Sequence, residues 1–243
     1  TVMVAMGMSS NALGTMNDFM FIKNLIKKHN LLFLLDAVHY APHFLIDVKK
    51  FDCDFLLCSA YKFYGPHVGI LYSKPDLLNT LKTDNLIVQE QDGPYKIETG
   101  TLNHAACAGV SKSIDFISSI GKGNTLREKL DDAFQKIGAH EYHLASYLYN
   151  GLKKIKDLEV IGPDFSSKKR TPTVSFIHKN KTANEICKEL AKKNLCAWDG
   201  HFYAIQAIKK LNLEKRGGVT RLGISLYNTK EEVEKLLKVI SSI

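Results

Sequence analysis

Two short apolar runs in this 243-residue chain end on side chains that can do chemistry. Residues 31–35, Leu-Leu-Phe-Leu-Leu, deliver Asp36, and residues 55–58, Phe-Leu-Leu-Cys, deliver Ser59, Tyr61 and Lys62, followed by Gly65-Pro66. Read as neighbouring strands of an open α/β sheet, both groups fall at carboxyl ends, where such sheets gather their ligand-binding loops. An acid and a primary amine so placed meet the needs of pyridoxal-phosphate (PLP) chemistry. The carboxylate keeps a pyridine nitrogen protonated, and the amine condenses with the aldehyde as a Schiff base. Singly, each residue is commonplace: an Asp after a strand is ordinarily a cap or turn residue, and a Lys beside aromatics ordinarily snorkels to the surface. The pair carries the information.

The elements that must position this pair are legible as periodicities. Residues 2–8 form an apolar run that reads as a buried strand. Residues 18–28 repeat Phe19, Ile22, Leu25 and Ile26 at helical spacing with basic residues near the end, and residues 31–35 follow as a strand. Strand, helix, strand predicts a right-handed crossover. Runs at residues 55–58 and 68–72 flank the turn over residues 59–67 and complete a mostly parallel or mixed sheet. A helix over residues 105–120, stopped by Gly121 and Gly123, marks a domain edge. Beyond it come a long helix over residues 126–156, strands at 159–161, 173–177 and 219–226, and two capping boxes, Thr182 with Glu185 and Thr229 with Glu232. The expected division is therefore residues 1–123, α/β, and residues 124–243, a smaller α+β domain.

Composition narrows the class. With 45% hydrophobic residues the chain can build a sizeable core, and no apolar run approaches the roughly 20 residues of a membrane span. The net charge of +8 is spread through helical stretches such as residues 23–28 and 188–193, which reads as solvated surface and predicts neither a nucleic-acid nor a membrane partner. Five scattered cysteines, an odd number, fit a reducing, cytoplasmic setting. His39 and His43, with Cys53, Cys58 and His67 nearby, raise a metal site, but Pro42 breaks a helical pair and no familiar ligand spacing is completed, so none is expected.

Four motifs then stand in register: Asp36-Ala37-Val38-His39, Ile46-Asp47-Val48, Cys53-Asp54-Phe55, and residues 59–66, Ser-Ala-Tyr-Lys-Phe-Tyr-Gly-Pro. With residues 10–15, Ser-Asn-Ala-Leu-Gly-Thr, residues 98–103, Glu-Thr-Gly-Thr-Leu-Asn, and Arg221 with Tyr227-Asn228-Thr229, the chain resembles class-V aminotransferases and cysteine desulfurases along essentially its whole length. The resemblance implies an aspartate-aminotransferase-like (fold type I) PLP-dependent transferase. Residues 1–123 would be the second half of its large domain and residues 124–243 its small domain. It also implies that Lys62 is the Schiff-base lysine and Asp36 the partner of the pyridinium nitrogen. Asn11 and His39 would lie near the cofactor's phenolic oxygen, and Ser59 and Tyr61 at its phosphate. Thr101 would reach the phosphate held by the other subunit of a homodimer, and Arg221 would grip the carboxylate of a small amino-acid substrate, as a planar fork donor can.

Two departures qualify the likeness. The segment in which desulfurases carry a loop cysteine reads Trp198-Asp199-Gly200-His201-Phe202-Tyr203-Ala204, with Tyr203 at the aligned position, and a phenol is a far poorer sulfur nucleophile than a thiolate. Trp198, His201, Phe202 and Tyr203 line a substrate pocket or fill the small-domain core, and Cys107 and Cys196 read as core cysteines. Transamination, elimination, racemisation and sulfur transfer all stay open. The chain also opens at Thr1 inside an apolar strand, which reads as the C-terminal part of a longer polypeptide, so a catalytically silent fragment or interaction subunit that keeps the fold and dimer face is the alternative.

Overall fold

Short polar residues set where most of the helices begin. The computed structural model describes residues 1–167 and 169–243. The described residues form β1 (Met3–Gly7), α1 (Phe19–Ile26), β2 (Leu32–Asp36), α2 (Val48–Phe51), β3 (Phe55–Ser59), β4 (Gly69–Ser73), α3 (Leu77–Thr80) and α4 (His104–Ile120). There follow α5 (Leu126–Leu152), β5 (Leu158–Ile161), β6 (Thr173–His178), α6 (Ala183–Ala191), β7 (Trp198–Gly200), α7 (Ile205–Lys210), β8 (Val219–Gly223) and α8 (Lys230–Ile240). Asp18, Asp47 and Asn103 cap α1, α2 and α4 by accepting from the backbone N–H three residues on. Both expected capping boxes form, at Thr182 with Glu185 and at Thr229 with Glu232.

The chain divides into two compact units, one comprising Thr1–Met8 and Asp18–Ala133, the other Ser9–Asn17 and Phe134–Ile243. In the first, the sheet order is β1-β2-β3-β4, with β1 and β3 both parallel to β2 and β4 antiparallel to β3. The sheet is thus mixed. Among the described residues β1 stands at its edge, with Ala5 exposed and its other four residues partly buried. Phe19, Tyr40 and Phe51 pack edge to face, with centroids 5.3–6.1 Å apart, and anchor α1 and α2 in the same core.

In the second unit, an antiparallel sheet of order β5-β6-β8-β7 has two different faces. Val174 and Phe176 of β6 and Leu222 of β8 join Leu148 of α5, Ile186 of α6 and Val233 of α8 in one core. The alternate positions Ile177 and Val219 join a smaller cluster with Ile208 and Leu213, against which Leu13 and Phe202 pack. Period-two alternation therefore puts Arg221, two residues from Val219, on the face of the smaller cluster.

Two boundaries differ from the sequence reading by three residues or more. The strand expected over 219–226 stops at Gly223, because its next partner would be Pro172, which has no N–H to donate; Pro172 only accepts from Ile224 at 3.1 Å. The helix expected to residue 156 stops at Leu152, where Lys154 and Ile155 turn back onto carbonyls three residues earlier.

Candidate active site

In the first unit, Asp36 is the last residue of β2, and its cross-strand partner on β3 is Leu57. Two residues on, β3 ends at Ser59, and a 3-10 turn, Ala60–Phe63, carries Tyr61 and Lys62. The carboxylate and the amine-bearing turn thus leave hydrogen-bonded parallel strands at their shared carboxyl end. Both Asp36 and Lys62 are exposed. One Asp36 oxygen accepts from the Val38 N–H at 2.9 Å, so the residue also serves as the turn acceptor that its position alone foretells. Ser59 precedes the 3-10 turn without using its hydroxyl to cap it.

The turn that bears Lys62 is braced from two sides. Its ring neighbour Tyr61 stacks on His67, with centroids 4.7 Å apart and planes 18° from parallel, and the Lys62 Nζ lies 5.2 Å from the Tyr61 centroid. On the other side, Pro66 meets α4 at Gly109, where an added Cβ would come within 3.1 Å of the proline ring. A glycine there lets helix and turn approach closely. His39 sits in the turn after Asp36, edge-on to His43 at 5.7 Å. His43 is buried, and that burial lowers its pKa to about 4. Among the described residues, no three His, Cys, Asp or Glu side chains gather as metal ligands. Thr101 is exposed, just before the Asn103 cap of α4.

Asn11 and Arg221 meet in the second unit. The Arg221 Nη1 donates to the Asn11 carbonyl at 2.8 Å, and the Asn11 Nδ2 donates to the Phe202 carbonyl at 2.9 Å. The guanidinium carbon of Arg221 lies 4.0 Å from the Phe202 ring centroid. The segment that contains Asn11 is itself tied down: Arg170 donates to the carbonyls of Leu13 and Thr173 at 2.8 and 2.7 Å, Ser175 donates to Ala12, and Thr171 N–H to Gly14 at 3.0 Å. Gly14 has φ +75°, and a Cβ there would stand 2.6 Å from the Thr173 carbonyl oxygen. Nothing in the sequence singles out Arg170; in the fold it is 5% exposed and its guanidinium lies 4.6 Å from the Phe165 ring centroid.

The cysteine reading needs correcting: Cys53 and Cys58 are buried, but Cys107 and Cys196 are exposed. The inward stripe of α4 runs through positions 106, 110, 113 and 117, and Cys107 stands one residue off it, about 100° around the helix. Cys196 lies between Leu195 and Ala197, which pack on the larger core of the second unit while Cys196 faces out. The aromatic segment after it also divides. Phe202 packs inward, whereas Trp198 is 69% and Tyr203 92% exposed.

The family model for class-V aminotransferases matches residues 1–236, and the chain belongs to that family. It is 30% identical over 98% of its length to probable cysteine desulfurases from Borreliella burgdorferi and Halalkalibacterium halodurans, and it spans 56% and 57% of the lengths of those relatives. The solved structure of an apo cysteine desulfurase from Thermococcus onnurineus NA1 matches 99% of the chain and 59% of its own, with a TM-score of 0.84 at 24% identity. The fold is thus that of the fold-type-I PLP-dependent enzymes. The chain covers a little over half the length of these relatives. Among the described residues, no helix is long and apolar enough to cross a membrane.

Proposed function

We propose that this chain contributes the lysine, acid and carboxylate-binding half of a PLP-dependent enzyme acting on a small amino acid, with Lys62 as the residue that binds the cofactor aldehyde. The observation that carries the reading is the departure of Asp36 and of the Lys62 turn from the carboxyl ends of adjacent parallel strands. The donor set fits the group: an exposed amine on a braced turn, a carboxylate on the neighbouring strand, and hydroxyls at Ser59 and Tyr61 for phosphate. When bound, PLP supplies a protonated ring that accepts electrons from the substrate's α carbon. Asp36 would hold the proton on the ring nitrogen, and Asn11 and His39 would lie near its phenolic oxygen. Arg221 would orient the substrate carboxylate, and the Lys62 amine would take the proton from the α carbon. Residues 1–123 form the second half of the large domain and residues 124–243 the small domain. Thr101 reaches the cofactor phosphate of a second subunit in a cytoplasmic homodimer.

The relatives are named cysteine desulfurases, but in this chain Tyr203 stands at the position aligned with the loop cysteine, and a phenol does not accept sulfur as a thiolate does. The reading therefore stops at amino-acid chemistry through Lys62. Adding PLP to the purified protein, recording its visible spectrum, reducing with borohydride and locating the adduct by mass spectrometry tests it. The label is expected on Lys62 and is expected to vanish in Lys62→Ala. A label on another lysine, or none, overturns the assignment.

A further inference from the structure

Arg221 is half-buried, and burial pushes its pKa below the ordinary value, yet among the described residues no carboxylate pairs with it. Its only hydrogen bond there goes through Nη1 to the Asn11 carbonyl. The guanidinium carbon lies over the Phe202 ring, 4.0 Å from its centroid. The Phe202 backbone is held by the Asn11 amide at 2.9 Å, so one asparagine fixes both partners of the stack. Phe202 and Tyr203 have φ of +52° and +62°, two successive left-handed residues that are not glycine. Aromatic residues avoid that region unless the surroundings impose it. Here the result is that Phe202 turns inward, onto Arg221 and the Ile177 and Val219 cluster, while Tyr203 turns out.

We propose that Phe202 is a positioning residue for carboxylate recognition: its ring fixes the plane of the Arg221 guanidinium so that the edge not given to Asn11 meets a planar carboxylate in two parallel hydrogen bonds. The proposal rests on the reading of Arg221 as the substrate-carboxylate residue. Stacking blocks approach over one face and limits rotation of the fork, and a desolvated cation with no anionic neighbour binds a carboxylate more strongly than a solvated one. The ligand class so selected is an amino acid with an ionised α-carboxylate, in preference to its uncharged amide.

The test uses the PLP-reconstituted protein, with L-alanine and L-alaninamide as probes and binding followed in the cofactor absorbance. Phe202→Gly removes the ring but suits the left-handed backbone, whereas Phe202→Tyr keeps an aromatic face. Phe202→Gly is expected to weaken L-alanine binding roughly tenfold and to leave L-alaninamide unchanged, and Phe202→Tyr to stay within about twofold of the parent for both. A cofactor-independent readout is the Arg221 Nε–H resonance of the nitrogen-15-labelled apo-protein, expected to be ring-current shifted in the parent and in Phe202→Tyr and to lose that shift in Phe202→Gly. Equal weakening of both probes, failure of Phe202→Tyr to rescue, or an unmoved resonance overturns the proposal. If neither probe binds, the resonance alone decides. Arg221→Gln separates the two assignments. If it erases the preference for the acid while Phe202→Gly does not, only the role of Phe202 fails; if the preference survives in Arg221→Gln, the carboxylate role of Arg221 fails.

Discussion

Glu141 lies on α5 with 2% exposure, and burial raises its pKa from 4.5 to about 8, opposed only weakly by neighbouring His140. The unfolded chain sheds this proton near pH 4.5, whereas the folded chain keeps it to about pH 8. The stability this group contributes is therefore complete below 4.5 and is lost as pH rises toward 8. His43 has the opposite sign. Its pKa falls from 6.5 to about 4 on burial, so the unfolded state takes a proton first, and stability is lost as pH falls from 6.5 to 4. The two oppose each other between 4.5 and 6.5, and only Glu141 acts between 6.5 and 8. Across that upper window, urea denaturation is expected to show stability falling by up to about 1.4 kcal/mol per pH unit, and Glu141→Gln is expected to flatten the slope. A slope that persists in the variant would remove burial of Glu141 as its cause. The positions of Asp36 at the end of β2 and of Lys62 in the turn after β3 were legible in the sequence because both follow apolar runs. Glu141, Arg170 and the stack of Phe202 on Arg221 were not, since each depends on which chain segment folds over it.

Elements with local signals were read well. The capped helices α6 and α8 start where their Thr and Glu pairs predict, because a capping box satisfies orphan N–H groups within four residues of chain. Elements that depend on a distant partner were missed. The three residues of β7 carry no periodicity and exist only by pairing with β8. The cysteines show the same limit, since an apolar neighbourhood in sequence does not say which face of an element a side chain takes. Treatment of the native protein with an aromatic disulfide reagent is therefore expected to modify Cys107 and Cys196 fast. Cys53 and Cys58, buried and with raised pKa values, should react only on the timescale of unfolding, and Cys187, raised to about 11, should lag as well. Equal rates at Cys58 and Cys196 would contradict the burial of the first or the exposure of the second.

At the scale of the whole molecule, the chain passes from one compact unit to the other three times: after Met8, after Asn17 and within α5 after Ala133. Nothing in the composition of residues 9–17 sets them apart from their neighbours, so their place in the second unit is not legible in the sequence. Those residues supply the carbonyls that Arg170, Thr171 and Ser175 require in the second unit. A protein made of residues 134–243 alone takes the Ala12, Leu13 and Gly14 carbonyls away from Ser175, Arg170 and Thr171, leaving Arg170 only its acceptors at Pro163 and Thr173, a penalty of about 1–3 kcal/mol for each buried hydrogen bond lost. Thermal denaturation is expected to find it molten or unfolded. A cooperative melt equal to that of the intact chain would show that the segment is dispensable.

The same detail has a practical side for anyone wishing to use the smaller unit as a scaffold. Its sequence is discontinuous, so a faithful excision is a splice, with residues 9–17 joined through a synthetic spacer ahead of residue 134. Complementation offers a gentler route: a nine-residue peptide added in trans should rescue the excised piece, and Gly14 in that peptide leaves no room for a side chain.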